Sequence, residues 1–383
     1  MAAVTQPTSF NFPTPIRFGV GVIAELPAYC KKHGLTAPLL VTDPNVAELG
    51  FFRKIAQQLA AAGLKPEVFS DMHANPIKAD VLAGGDAYDQ SQRDSIIGIG
   101  GGAAMDVARA IALRINHRED LFKYDDLIGG DKYVTNPIPP FVTVPTTSGT
   151  GSEVGRSAII SEDESKKKRI LFAPSLMAQQ VFADPALTFE LPTHITAATG
   201  IDALTHNLEA YLAKNYHPMA DGIALEGTRL IFESIVEAVH RPDPVSRSKM
   251  MLASLMGATA FQKGLGVVHS LAHPLSTLLD MHHGLANAIN LPYGMEFNFD
   301  GFETRFTRLA QVMNLPEANA EAVVPALFEL NEKLNLPLRL REKGVEQAHI
   351  PSLTELAVAD FAHPNNPKPV SREDFQALYE KAW

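Results

Sequence analysis

Four of the thirteen histidines, His269, His273, His282 and His283, fall within fifteen consecutive positions. Asp202 and His206 stand four residues apart, and so do His269 and His273. On a helix each such pair shares one face. Imidazoles and carboxylates presented from rigid helices are a common way to hold a divalent transition metal. One pair alone is weak evidence, because satisfied core histidines outnumber ligands. Two pairs beside a glycine loop favour the metal. That loop is Gly100-Gly101-Gly102, between an apolar run and a helical pattern. Glycines there let backbone amides approach a pyrophosphate, whose charge the following helix N-terminus favours. The pattern is not G-x-G-x-x-G, and a tight strand-to-helix turn without a ligand explains three glycines equally well. Asp43 closes an earlier apolar run. A carboxylate there hydrogen-bonds a ribose diol and repels a 2′-phosphate, favouring NAD over NADP; an Asp-Pro turn with Pro44 is the local alternative. Thr146-Thr147-Ser148-Gly149-Thr150-Gly151-Ser152-Glu153 is either a second ligand-contacting loop or a surface loop.

These groups need elements to position them. Residues 38–43 form a short apolar run closing in turn residues and predict a buried strand. Residues 47–62 have helical periodicity and stop at Gly63. Residues 66–69 predict a second strand, and 95–99 a third that runs into the glycines. A helix over 105–115 and a strand over 141–145 follow. Such alternation argues for a parallel sheet with helices on both faces. After about Leu191 the pattern changes. Pro192-Thr193 is a helix start, and Ile201/Leu204/Leu208/Leu212, then 250–261, then 306–313 all have helical spacing. The expectation is an α/β Rossmann-like nucleotide-binding domain over 1–190 and an all-helical metal-binding domain over 191–383. Residues 363–369 form a Pro/Asn-rich loop before the last helix.

A length of 383 residues suits two domains. With 46% hydrophobic and 20% charged residues the chain has the balance of a globular protein with a large core. A net charge of −10 leaves no footprint for nucleic acid or for an anionic membrane. The single cysteine, Cys30, excludes an intrachain disulfide and reads as an inert thiol in a reducing compartment. Residues 1–10 lack a basic and then an apolar segment, and no apolar run reaches the roughly 18–20 residues of a membrane span. The cytoplasm is the expected location.

Gly200-Ile201-Asp202-Ala203-Leu204-Thr205-His206, and Gly264-Leu265-Gly266-Val267-Val268-His269-Ser270-Leu271-Ala272-His273-Pro274, resemble the two signature segments of the iron-containing (group III) alcohol dehydrogenases, within the dehydroquinate synthase-like superfamily. The loops at 100–106 and 145–153 and Asn366-Pro367-Lys368 match that family too, so the resemblance spans nearly the whole chain. It implies metal ligands Asp202, His206, His269 and His283. His283 enters through the His-Gly pair with Gly284, and His282 becomes peripheral. His273 becomes a neighbour of the metal and a candidate proton relay or orienting group. Gly100, Gly101, Gly102 and Asp106 are expected at the cofactor with Asp43, Thr146, Thr147 and Thr150. Two positions depart from the family: Ala103 replaces a usual serine, and Arg109 a frequent lysine.

The resemblance implies a metal acting as Lewis acid on a primary alcohol, with hydride exchanged with NAD. Three histidines and a carboxylate suit iron(II) or zinc; the resemblance implies iron(II). Gly155, Ser157 and Ile159 correspond to positions that face the substrate channel. Ala260 and Ala362 stand where relatives carry larger side chains, which predicts a roomier pocket than ethanol needs. Lys263 is either a partner for a substrate carboxylate or a solvated surface lysine. The rivals are a glycerol-dehydrogenase-like zinc enzyme, a dehydroquinate synthase-like lyase, and a non-catalytic nucleotide-binding protein. The complete ligand pattern disfavours the first and the third, and the lyase needs a more basic pocket than the sequence offers. Residues 10–19 predict an edge strand suited to homodimer or higher assembly.

Overall fold

The computed structural model describes residues 12, 14–164 and 167–383. One compact unit comprises Pro13–Thr147 and Gly151–Glu190, the other Ser148–Thr150 and Leu191–Trp383.

The first unit runs β1 (Ile16–Phe18), α1 (Leu26–Lys32), β2 (Pro38–Val41), α2 (Pro44–Ala47), α3 (Gly50–Ala61), β3 (Glu67–Phe69), α4 (Lys78–Gln90), β4 (Ser95–Gly100), α5 (Gly102–Asn116), β5 (Phe141–Pro145), β6 (Ser157–Ser161), β7 (Lys168–Phe172) and β8 (Gln180–Ala183). Six strands form one parallel sheet in the order β1-β8-β5-β4-β2-β3. β2, β4 and β5 are buried along their whole length, and a strand covered on both faces needs an unbroken apolar run. Leu39, Val41 and Ile96 face α4 and α5, while Leu40, Ile97 and Ile99 face α1 and α3. The helix expected from residue 47 is split. Asp43 accepts from the amides of Asn45 and Val46 and starts the short α2, so α3 begins only at Gly50. The chain steps from β2 outward to β3, then returns to β4 and continues the other way. The reversal therefore lies between β2 and β4, where ligands of such sheets bind beyond the strand ends. β1 is an edge strand as expected, although residues 10, 11 and 13 lie outside the described residues. Cys30 is fully buried, which pushes its thiol up to about 11 and keeps it inert.

β6 and β7 form a separate antiparallel hairpin. Ala158, Ile160 and Leu171 join the core. Ser157 pairs with Phe172 and Ile159 with Ile170, so these four side chains share the opposite face.

The second unit runs α6 (Thr193–Leu212), α7 (Pro218–His240), α8 (Pro244–Ala260), α9 (Val267–Leu279), α10 (His283–Phe297), α11 (Glu303–Val312), α12 (Val323–Lys333), α13 (Ile350–Val358) and α14 (Arg372–Ala382). Helix α6 lies at its centre, packed against α7, α8 and α10. Every residue from Thr196 to Leu212 is buried. Leu204 and Leu208 have no exposure, each side chain contributing about 2 kcal/mol. A helix buried all round must find partners for each polar side chain it carries, and α6 carries Asp202, His206 and Glu209. The loop segment Ser148–Thr150 packs with this unit: Ser254 Oγ donates to the Gly149 carbonyl at 3.1 Å. Among the described residues no single helix is long and apolar enough to cross a membrane.

Candidate metal and cofactor sites

Asp202, His206 and Glu209 occupy positions i, i+4 and i+7 of α6 and share a face. Helix α9 supplies His269 and His273, and α10 supplies His283 at its first position and Asn287 a turn later. Asp202 Oδ1 stands 4.0 Å from His206 Nε2, 3.9 Å from His269 Nε2 and 3.5 Å from His283 Nε2. Two ligand atoms each about 2.1 Å from one ion are separated by roughly 3–4 Å. Ligand atoms of Asp202, His269 and His283 all lie within 4.8 Å of one another. Lone pairs crowded in this way repel unless a donor or cation lies among them. Asn287 Nδ2 meets part of that need, donating to Asp202 Oδ1 at 2.7 Å and standing 3.2 Å from His283 Nε2. The donor set fits a divalent transition metal. Burial lowers the His206 imidazole to about 4 against the pull of Asp202, leaving the neutral form that ligates.

Behind the cluster stand carboxylates that sequence reasoning missed. His269 Nδ1–H donates to Glu209 Oε2 at 2.6 Å, which turns Nε2 toward Asp202. Burial alone would lower this imidazole, but Glu209, with Asp202 and Asp360 behind it, raises it above the ordinary value. Glu209 Oε1 also accepts from the Val268 amide at 2.6 Å, and Asn366 Oδ1 from Val267 at 3.1 Å. The open first turn of α9 is thereby closed. The i+7 spacing from Asp202 was the signal for Glu209. His273 is held the same way: its Nδ1–H donates to Asp360 Oδ2 at 2.7 Å, and Asp360 Oδ1 accepts from Ser270 Oγ and the Ala362 amide. The His273 ring stacks between His283 and Phe361, with ring centroids 5.4 and 5.3 Å away. His282 caps α10, accepting from the Leu285 amide, and lies outside the cluster.

Lys263 requires a correction. It is neither solvated nor open to a substrate: its side chain has no exposure, and Nζ donates to Asp221 and to the Tyr211 carbonyl. Arg305 reaches the same carboxylate at 3.0 Å. Burial lowers the Lys263 amine to about 8. Ala260 has no accessible surface and belongs to the helical core, so it lines no open pocket here. Ala362 borders a cavity of about 300 Å³ shared with Phe261, Gln262 and Phe361.

In the other unit, Gly100 ends β4 with φ +152°, and a Cβ there would lie 2.6 Å from Ala104 Cβ and 3.6 Å from Asp43 Oδ2. Only glycine fits, which brings bare backbone beside Asp43 at the sheet's reversal point. A Cβ on Gly101 would meet Thr147 at 3.3 Å. The buried Thr42 hydroxyl beside them has no hydrogen-bond partner. This glycine cradle with its orphaned hydroxyl fits a dinucleotide. Asp43 Oδ1 is engaged in capping α2, so capping and ribose contact are compatible roles for its two oxygens. The Thr146 amide donates to the Gly100 carbonyl at 3.0 Å. Thr150 falls in the segment that packs with the helical unit.

Asp106 is held by partners in its own unit. Its carboxylate accepts from Ser152 Oγ at 2.9 Å and the Ile159 amide at 3.2 Å, beside Arg109. It ties α5 to the β6 hairpin through both of its oxygens. Burial raises it to about 6 despite Arg109. Arg109, with no side-chain exposure, donates to the carbonyls of Leu176, Ser152 and Ser157. Gly155, Ser157 and Ile159 are half-buried, the latter two on the outer hairpin face.

A parallel nucleotide-type sheet and a histidine–carboxylate cluster on buried helices are the parts of an enzyme that uses a dinucleotide and a metal. Residues 13–185 match the iron-containing alcohol dehydrogenase family and residues 196–383 its C-terminal portion. The chain belongs to the iron-containing alcohol dehydrogenase family and is an NAD-dependent oxidoreductase of that type. It is 37% identical over 379 residues to a 4-hydroxybutyrate dehydrogenase of Cupriavidus necator, covering 96% of this chain and 98% of that one. A crystal structure of 1,3-propanediol oxidoreductase superposes with a TM-score of 0.93 at 32% identity, covering 98% of this chain and 100% of the other. A sulfoacetaldehyde reductase from Bifidobacterium kashiwanohense, in complex with NAD+, gives 0.88 at 25% identity, covering 98% and 99%.

Proposed function

We propose that this chain interconverts a primary alcohol carrying a polar tail (a diol or a hydroxy acid) and its aldehyde, at a metal held by Asp202, His206, His269 and His283. The convergence of Asp202 Oδ1 with three imidazole nitrogens at 4.0, 3.9 and 3.5 Å carries this reading. When bound, the metal supplies Lewis-acid polarisation of the alcohol oxygen and NAD accepts the hydride. The residues themselves supply position and proton traffic. Glu209 fixes the His269 tautomer so that Nε2 faces the cluster. Asp360 holds the proton on His273 Nδ1 and leaves Nε2 to exchange the alcohol's proton with solvent. Gly100, Gly101 and Gly102 admit the pyrophosphate, and Asp43 takes the adenosine ribose and selects NAD over NADP. Thr146, Thr147 and Thr150 lie along the cofactor.

Iron(II) is the metal favoured by family membership, while the N/O donor set binds zinc more tightly, so the ion found follows metal supply during purification. The open edge of β1 supports a homodimer, and the inert, buried Cys30 supports a cytoplasmic setting. The test is steady-state NADH formation with NAD and a panel of primary alcohols, diols and hydroxy acids. The reading expects net NADH with primary alcohols; a panel-wide absence, with NAD and metal both bound, overturns it.

A further inference from the structure

Three stretches of the helical unit meet beside the metal cluster: 214–215 just beyond α6, 261–265 between α8 and α9, and 361–365 beyond α13. They hold one another in place. The Asn215 side chain donates to the Lys263 carbonyl at 2.8 Å, and the Lys214 amide to the Asn365 carbonyl at 3.1 Å. Gly264 has φ +123°, and a Cβ there would lie 2.5 Å from Asn365 Cβ, so only glycine lets the two loops approach this closely. These stretches enclose the cavity of about 300 Å³, lined by Phe261, Phe361 and Ala362 and by the amide residues Asn215, Gln262 and Asn365. That volume is at the small end of the roughly 300–1,000 Å³ range of small-molecule sites. Every lining residue belongs to the unit that carries the metal cluster.

Two rings connect the cavity to the cluster. Phe261 stands 5.2 Å from the His206 ring, centroid to centroid, and Phe361 stacks 5.3 Å from the His273 ring. A substrate whose hydroxyl lies at the cluster meets these rings as apolar surface, with the cavity beyond them. Phe361 keeps 39% of its surface exposed, apolar area that a bound chain can cover. The lining offers nothing to an anionic tail. Its one ionisable side chain, Lys263, has no exposure and is held by Asp221 and the Tyr211 carbonyl.

We infer that Phe261 and Phe361 are specificity-determining residues, the wall of a subsite that receives the short, uncharged carbon chain of a primary alcohol. The inference rests on the dehydrogenase reading above. The chain takes no part in hydride transfer; it raises kcat/KM through the apolar surface it covers.

The test is a chain-length profile: kcat/KM for 1-propanol, 1-butanol, 1-pentanol and 1-hexanol, each divided by that for ethanol in the same enzyme preparation. A misfolded fraction cancels in this ratio. In the parent the ratio rises about 3–4-fold per methylene, the worth of burying one CH₂, and levels off once the cavity is filled. Ala362→Leu fills part of the cavity and lowers the 1-pentanol ratio about 10-fold, the worth of two methylenes, with the change carried by KM. Phe361→Ala enlarges the cavity and moves the best substrate to a longer chain, while Phe361→Tyr, which keeps the ring, keeps the parent's profile. A flat profile in the parent, or the parent's profile retained in Ala362→Leu or in Phe361→Ala, overturns the inference and leaves the dehydrogenase reading standing. So does a parent enzyme that oxidises 4-hydroxybutanoate but none of these alcohols. A parent enzyme that oxidises neither overturns both.

Discussion

The metal cluster and the glycine loop solve opposite problems. The cluster is assembled from side chains on three helices, and two of its imidazoles are backed by carboxylates, Glu209 behind His269 and Asp360 behind His273. The loop is assembled from backbone, and what matters is the absence of side chains at Gly100 and Gly101. A side-chain site tolerates loss in steps, because each partner holds one bond. A backbone site fails at once, because one added methyl group at Gly100 collides with Ala104.

The largest expected effect is at the loop. Gly100→Ala combines a positive φ with a Cβ 2.6 Å from Ala104, so it costs about 2–4 kcal/mol of stability and abolishes NAD binding, read by thermal unfolding and by NADH fluorescence titration. Normal NAD affinity in this variant would mean the loop is a structural turn only. Next comes Glu209→Gln, which keeps the fold but weakens the acceptor behind His269. Metal affinity falls about 10–100-fold, measured by competition with a chelator; an unchanged affinity would mean that the carboxylate does not support the ligand. The smallest effect is a pH dependence at Glu153, in the loop that follows β5. Glu153 is 3% exposed, Oε1 has no hydrogen-bond partner, and burial pushes its carboxyl from 4.5 up to about 7. Between those values the folded chain keeps a proton that the unfolded chain has released. Glu153 therefore contributes stability that is fully present below 4.5 and is lost as pH rises toward 7. Glu153→Gln is expected to gain about 1–3 kcal/mol over the parent between pH 5 and pH 8, read by denaturant unfolding. A difference that does not change with pH contradicts it.

What the sequence made legible follows the same division. The apolar runs of β2 and β4, the helical spacing of α6 and the glycines between β4 and α5 are local signals, and the structure contains them where the periodicity points. The partners are non-local. Glu209 meets His269 across 60 residues and Asp360 meets His273 across 87; the i+7 spacing puts Glu209 on the face of Asp202, but no local pattern names its partner. Lys263 was misread for the same reason: its carboxylate, Asp221, lies 42 residues away on another helix. Asp106 sits beside the glycine loop in sequence, yet Ser152 and Ile159 take its oxygens. The resemblance expects it at the cofactor; what its burial requires is a hydrogen-bonded partner, and the hairpin supplies one.

The central claim is that Asp202, His206, His269 and His283 hold one metal ion, with His273 beside it. Metal content per chain, measured by mass spectrometry on protein purified without air, tests this directly. The account predicts about one ion in the parent protein and in His273→Ala, and loss of the ion in His269→Ala and His283→Ala. Full metal content in both of those variants, with the fold intact, would contradict it.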